Sequence, residues 1–118
     1  MKFYNYFDVT SPLELPTKED LIKYEQQYTD LLNSDVSDKE KGAALGGFGS
    51  YLFKLGDNMS AAPYSIEGAN ETLKLGIKLL LKGAELEDPI AKKIVDFLII
   101  HGGYKDFGIP SESNSRRL

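Results

Sequence analysis

Three carboxylates, Glu85, Glu87 and Asp88, fall within one short stretch of the chain. Two carboxylates held close together can exchange protons as a general acid and base, or bind a hard cation. The spacing here is not that of a calcium loop, which alternates ligands over twelve residues around a central glycine. Asp88 is followed by Pro89, the pattern of a helix cap, so a solvated turn with a capping aspartate accounts for all three acids. The one histidine, His101, cannot build a catalytic triad or a multi-histidine metal site by itself. Its place at an expected helix C-terminus suits a partner of the helix dipole. Cysteine is absent, which removes thiolate ligands, cysteine nucleophiles and disulfides.

The glycines of KGAALGGFGSYLF suggest a phosphate loop at first sight. They lack the lysine that would reach the phosphates, and no apolar strand leads into them. No serine sits in a G-x-S-x-G setting. The residues therefore predict no catalytic, cofactor-binding or metal-binding group, and a protein that is not an enzyme.

Helices must position these residues. Thr17 opens the first, with Asp20 at capping-box distance, and Leu21, Tyr24, Tyr28 and Leu31 share one face until the pattern fades at Asn33-Ser34. Ser37 and Glu40 open the second, whose apolar stripe is Leu45, Phe48, Leu52 and Leu55. Gly42, Gly46 and Gly49 lie on another face of it. Each costs roughly 1 kcal/mol of helix propensity against alanine, and close approach of another helix backbone is the usual compensation. Gly56 to Tyr64 reads as a loop.

The third helix is expected from about Ser65 to Leu86. Its stripe is Ile66, Ala69, Leu73, Ile77, Leu80 and Ala84, widened by Leu75, Leu79 and Leu81. The fourth starts at Asp88-Pro89, is lined by Ile90, Ile94, Phe97 and Leu98, and closes at His101-Gly102-Gly103. Phe3, Tyr4, Tyr6 and Phe7 form an arm that docks aromatics on the core, where Pro12 and Pro16 oppose a long helix. Tyr104 to Pro110 is a short ordered extension. Alternation sufficient for a strand is missing throughout.

The chain has 118 residues, enough for one compact domain, with 42% hydrophobic and 27% charged residues. We assign 1–110 to a single helical domain and 111–118, SESNSRRL, to a flexible C-terminal tail. The formal net charge of −4 opposes a free-standing nucleic-acid binder, which needs a basic stripe, and is compatible with a basic protein partner. No stretch is apolar enough for a signal peptide or a membrane span, so a soluble, cytoplasmic protein is expected.

The stretch KGAELEDPIAKKIVDFLIIHGG, 82–103, resembles a Sel1-like repeat, a relative of the tetratricopeptide repeat. That pattern has an Ala–Glu pair, a Gly-Asp-Pro-type turn, then Ala, Leu-Gly, Tyr and Gly at fixed offsets. Ala84-Glu85, Asp88-Pro89 and Ala91 match. Val95, Asp96, Ile99 and Gly102 stand at the later positions, so Asp96 replaces a glycine and Ile99 the tyrosine. A weaker copy starts at Ala44, with Phe48, Gly49, Leu52 and, one residue late, Gly56. The resemblance implies helix–turn–helix hairpins whose faces bind proteins. In overall character, rather than by a motif, the chain also resembles the immunity proteins of bacterial toxin systems. These bind a cognate toxin, often a basic nuclease, and cover its active site.

The expected fold is all-α, with about four main helices packed as two antiparallel hairpins and short additional turns. The expected function is binding of a basic toxin domain, and the alternative is a general Sel1-like adaptor. Neither needs a cofactor, a membrane or direct nucleic-acid contact, and the free protein is expected to be a monomer. The expected contact surface comprises Asp57, Tyr64, Glu67 and Glu71, in a stretch with no base between Lys54 and Lys74, together with Glu85, Glu87 and Asp88. Acidic and aromatic groups of this kind can stand in for a phosphate ligand in a basic cleft. An enzyme built on the acids at 85–88 would require a deep pocket beside them.

Overall fold

Three of the four helices, the third excepted, begin where a side chain satisfies a free backbone N–H group. In the computed structural model, which describes residues 2–3, 6–9, 14–60, 68–101 and 109, the order is β1 (Lys2–Phe3), β2 (Phe7–Asp8), α1 (Lys18–Leu32), α2 (Asp38–Ser60), α3 (Ala69–Glu85) and α4 (Pro89–His101). The Thr17 hydroxyl accepts from the Asp20 N–H at 3.1 Å, and the Asp20 carboxylate accepts from the Thr17 N–H at 3.1 Å, closing the expected capping box. The Ser37 hydroxyl accepts from the Glu40 N–H at 3.1 Å, while the Glu40 carboxylate turns away to take the Tyr6 hydroxyl. The architecture is all-α, as expected.

Two sequence expectations fail here. First, β1 and β2 pair antiparallel, Lys2 with Asp8 and Phe3 with Phe7, although no strand was expected. Two residues a side are too few to show alternation. Second, α2 does not stop at Gly56 but runs on to Ser60. Gly56 faces α3, where its missing side chain is what lets the helices meet. The expected start of α3 near Ser65, and Ile66, lie outside the described residues. The described helix starts after Gly68, whose φ of 90° is the left-handed conformation that glycine adopts freely.

The closest packing in the fold is the antiparallel seam between α2 and α3. Gly42, Gly49 and Gly56 stand one heptad apart on α2, and Ala69, Gly76 and Gly83 one heptad apart on α3. They meet in three layers, Gly42 with Gly83, Gly49 with Gly76 and Gly56 with Ala69. A Cβ placed on Gly76 would sit 2.6 Å from the Phe53 nitrogen and 3.0 Å from the Gly49 carbonyl oxygen. One on Gly56 would sit 2.7 Å from the Leu73 nitrogen. Backbone therefore packs on backbone, which is the compensation the glycine face of α2 required.

Apolar side chains close both flanks of this seam. On one flank Phe7 stacks on Phe48 with ring centroids 4.2 Å apart, and Tyr24 meets Phe48 edge-on at 5.1 Å. Leu31, Leu45, Leu52, Leu75 and Leu79 complete that cluster, so the N-terminal arm does dock an aromatic on the core. On the other flank Leu73, Ile77 and Leu80 of α3 receive Ala91, Val95 and Leu98 of α4. α3 is thus covered on two sides, as its widened stripe predicts. Ile109 is buried beside Leu73, Ile77 and Leu98 at the α3–α4 junction.

The lining of α4 differs from the expected one. Ala91, Val95 and Leu98 face inward, whereas Ile90 and Phe97 are 54% and 52% exposed. The small Ala91 decides this, since it meets Gly83, where a Cβ would come within 3.0 Å of it. Turning the larger Ile90 inward would push α4 off α3.

Candidate protein-binding surfaces

The turn between α3 and α4 is built from the residues first singled out for chemistry. The Glu87 N–H donates to the Ala84 carbonyl and the Asp88 N–H to the Gly83 carbonyl, each at 3.0 Å. These two bonds make a Schellman motif, which closes a helix through one left-handed residue. That residue is Glu87, at φ 70°. Glycine is usual there, and the Gly-Asp-Pro turn of the resembled repeat places one there. Asp88 then caps α4, its carboxylate accepting from the Ala91 N–H at 2.9 Å. Pro89 takes the first helical position, where its missing N–H costs nothing.

The carboxylates of this turn do not converge. Asp88 is buried, and its Oδ2 fills the space over Gly46, where a Cβ would approach to 2.1 Å. Glu85 is exposed and pairs with Lys82 at 3.1 Å, and Glu87 is exposed and pairs with Lys92. Each acid is engaged by a different partner, so no two share a proton or a cation. A cleft of about 400 Å³ does lie beside them, lined by Lys39, Ala43, Leu86, Glu87, Asp88 and Pro89. Among the described residues no three His, Asp or Glu side chains are grouped to hold a metal ion.

The remaining expected contact residues lie elsewhere. Tyr64 and Glu67 fall outside the described residues. Asp57 is half-buried near the C-terminal end of α2, and Glu71 is exposed in the first turn of α3. Because α2 and α3 run antiparallel, Asp57 and Glu71 share one end of the pair while Glu85 and Glu87 mark the other. At 1.5 Å per residue, Glu71 and Glu85 are roughly 21 Å apart along α3. The expected surface is therefore two separate sites, and Asp88 belongs to neither because its carboxylate points inward.

Glu71 borders a groove between α1 and α3. Two adjoining clefts there, of about 260 and 360 Å³, share Leu21 and Glu71. Lys18, Lys74 and Lys78 stand around them with Glu25, so this end carries both signs of charge. Lys78 bridges the two helices, paired with Glu25 at 2.8 Å and lying 5.1 Å from the centre of the Tyr28 ring.

No protein-family model, curated protein or solved structure matches the chain. The local geometry must then speak for itself. The segment 82–101 does form a helix–turn–helix hairpin, at the place where the repeat resemblance lies. Ala44 to Gly56, the weaker copy, lies wholly inside α2, so among the described residues no second hairpin repeats the first. Among the described residues no helix is long and apolar enough to cross a membrane.

Three tyrosines, Tyr6, Tyr24 and Tyr51, are held protonated by their surroundings. Burial, with Asp20 adding to it, pushes the Tyr24 hydroxyl up to about 12. Burial also raises Tyr51. The hydrogen bond to Glu40 raises Tyr6. These groups fasten the arm, α1 and α2 together and take no part in the exposed acidic sites.

Sequence reasoning missed one exposed feature. Ile90, Phe97 and Ile100 form an outward stripe on α4 and are 54%, 52% and 58% exposed. The signal was in the sequence: α4 is apolar on more than one face, and only one face can pack on α3.

Proposed function

We propose that this protein is a non-catalytic binding domain that neutralises a basic partner, of the toxin-domain type, by covering its active site. The observation that supports this reading is the mounting of Glu71, Glu85 and Glu87. They are exposed, yet they project from the ends of a helix locked to its neighbour backbone to backbone. Groups fixed in this way lose little freedom on binding, and a basic cleft is steered to them. The ion pairs of Glu85 and Glu87 with lysines are surface pairs, worth about 0–1 kcal/mol, and a partner's arginine can displace them. A cytoplasmic location and the absence of enzymatic activity go with this proposal.

Affinity capture with the tagged chain, followed by mass spectrometry, identifies the partner. Titration of that partner against Glu71→Lys, and separately against Glu85→Lys with Glu87→Lys, then tests the site. The proposal expects a basic partner and at least a tenfold weakening by one of the two variants. An acidic partner, or affinity unchanged by both variants, overturns it.

A second reading, a general adaptor of the Sel1-like kind, is favoured by the hairpin at 82–101 alone. It expects the partner to be a peptide segment that competes at the α1–α3 groove, with no toxin involved.

A further inference from the structure

We propose that the outward face of α4 is a self-association surface, on which a second copy of this chain docks antiparallel through the same stripe. The stripe is Ile90, Lys93, Phe97 and Ile100, spaced by three, four and three residues. That spacing is the seam of a helix that packs on another helix. Its apolar members are each more than half exposed. The opposite face, Ala91, Val95 and Leu98, is already occupied by α3. Ile109 packs in the α3–α4 junction, on that inner side.

The chemistry of the stripe selects the occupant. Setting Ile90 opposite Ile100 of the second copy places Lys93 opposite the Phe97 ring of that copy, twice by symmetry. An ammonium over an aromatic face is attractive. Asp96 lies beside the stripe on the same flank as Lys93, and in an antiparallel pair like flanks face each other. Each Asp96 is thereby brought to the Lys93 of the other copy. Neither Lys93 nor Asp96 has an ion-pair partner among the described residues. One side of the Phe97 ring packs on His101 of its own helix, with ring centroids 4.1 Å apart, and the other is left for the Lys93 of the second copy, so the stripe and its flanking Asp96 are self-complementary, the condition for a two-fold interface.

The area sets the strength. A half-exposed large side chain offers about 100 Å², so the three apolar residues supply roughly 300 Å² per copy. The two copies together thus bury roughly 600 Å² through the stripe, below the ~1,200 Å² at which specific, stable interfaces begin. The dimer is therefore weak and forms only at high protein concentration. This departs from the monomer expected from sequence, and it does not depend on the identity of any other partner.

Sedimentation velocity of the full chain from about 10 µM to 1 mM tests the proposal. The weight-average sedimentation coefficient is expected to rise from that of a monomer toward that of a dimer. Phe97→Asp abolishes the rise. Lys93→Asp and Asp96→Lys each weaken association at least fivefold, and the double exchange, Lys93→Asp with Asp96→Lys, recovers the ion-pair part of that loss but not the part due to the Phe97 ring. All three positions are exposed, so melting curves close to wild type show that the variants fold. A monomer at 1 mM, a dimer that survives Phe97→Asp, or a double exchange no better than the single ones overturns the proposal.

Discussion

Replacing Gly76 by alanine sets two effects of known sign against each other. Alanine is favoured over glycine in a helix interior by about 1 kcal/mol. The new Cβ, however, would lie 2.6 Å from the Phe53 nitrogen, 3.0 Å from the Gly49 carbonyl oxygen and 3.1 Å from the Leu52 carbonyl carbon. All three are backbone atoms, so no side chain can rotate aside. Normal contact at about 3.4 Å requires α2 and α3 to separate along a seam that is close-packed for its whole length. Overpacking of this kind costs about 1–3 kcal/mol, and more where nothing can yield. We expect Gly76→Ala to lose about 2 kcal/mol net of its propensity gain. Gly42→Ala is the control, because its nearest neighbour is the Asp88 Cβ at 3.3 Å, which needs to give only slightly. It should fall within about 1 kcal/mol of wild type. Urea unfolding followed by far-ultraviolet circular dichroism measures both. At a slope of roughly 1.5 kcal/mol/M, the two midpoints should differ by about 1–2 M. A Gly76→Ala protein as stable as wild type, or less damaged than Gly42→Ala, would refute the backbone-to-backbone seam.

Three further substitutions test separate parts of the fold. Glu87→Gly should raise stability by about 1 kcal/mol, since glycine takes the left-handed conformation without strain and only an exposed ion pair is lost; a lower urea midpoint would contradict this. Asp88→Ala should cost about 1–2 kcal/mol through the uncapped start of α4, read as a lower melting temperature, with the space over Gly46 left unfilled. Tyr24 stays protonated to about pH 12 in the folded protein but ionises near 10 when unfolded. Its contribution to stability is therefore complete below pH 10 and is lost as pH rises toward 12. Tyr24→Phe should unfold less steeply than wild type across that window in an alkaline titration, and an identical profile would count against the buried hydroxyl.

The parts of this fold legible in the sequence are those decided by local chemistry. Thr17, Ser37 and Asp88-Pro89 announce helix starts because a capping side chain acts within three residues of itself. The glycine face of α2 announced a close neighbour, because three glycines within two turns of a helix demand compensation. The identity of that neighbour was less visible. The matching heptad Ala69, Gly76 and Gly83 is plain only once α2 and α3 are laid antiparallel. Gly56 was misread as a loop residue for the same reason, since tertiary contact overrides its propensity.

The candidate site shows the same division. That Asp88 is a cap could be read from the proline after it. That Glu71 and Glu85 stand at opposite ends of one helix already follows from the unbroken third helix that the apolar stripe predicts. Which face of α4 points outward is settled by the fit of Ala91 against Gly83, and helical periodicity alone does not rank the two apolar faces. The left-handed Glu87 carries no local signal, because nothing about glutamate favours that conformation.

The three layers of the glycine seam are nested about the α2–α3 connection, and this fixes an order in time. Gly56 meets Ala69 across the shortest loop, Gly49 meets Gly76 across a longer one, and Gly42 meets Gly83 across the longest. The last loop is roughly three times the first, which adds about 1 kcal/mol of closure entropy if it must form unaided. During folding the seam therefore zips from the connection outward, each layer shortening the loop that the next must close. The contact of Asp88 with Gly46 spans as long a loop and is expected last by the same reasoning, whereas the turn that carries it is held by local bonds and closes independently.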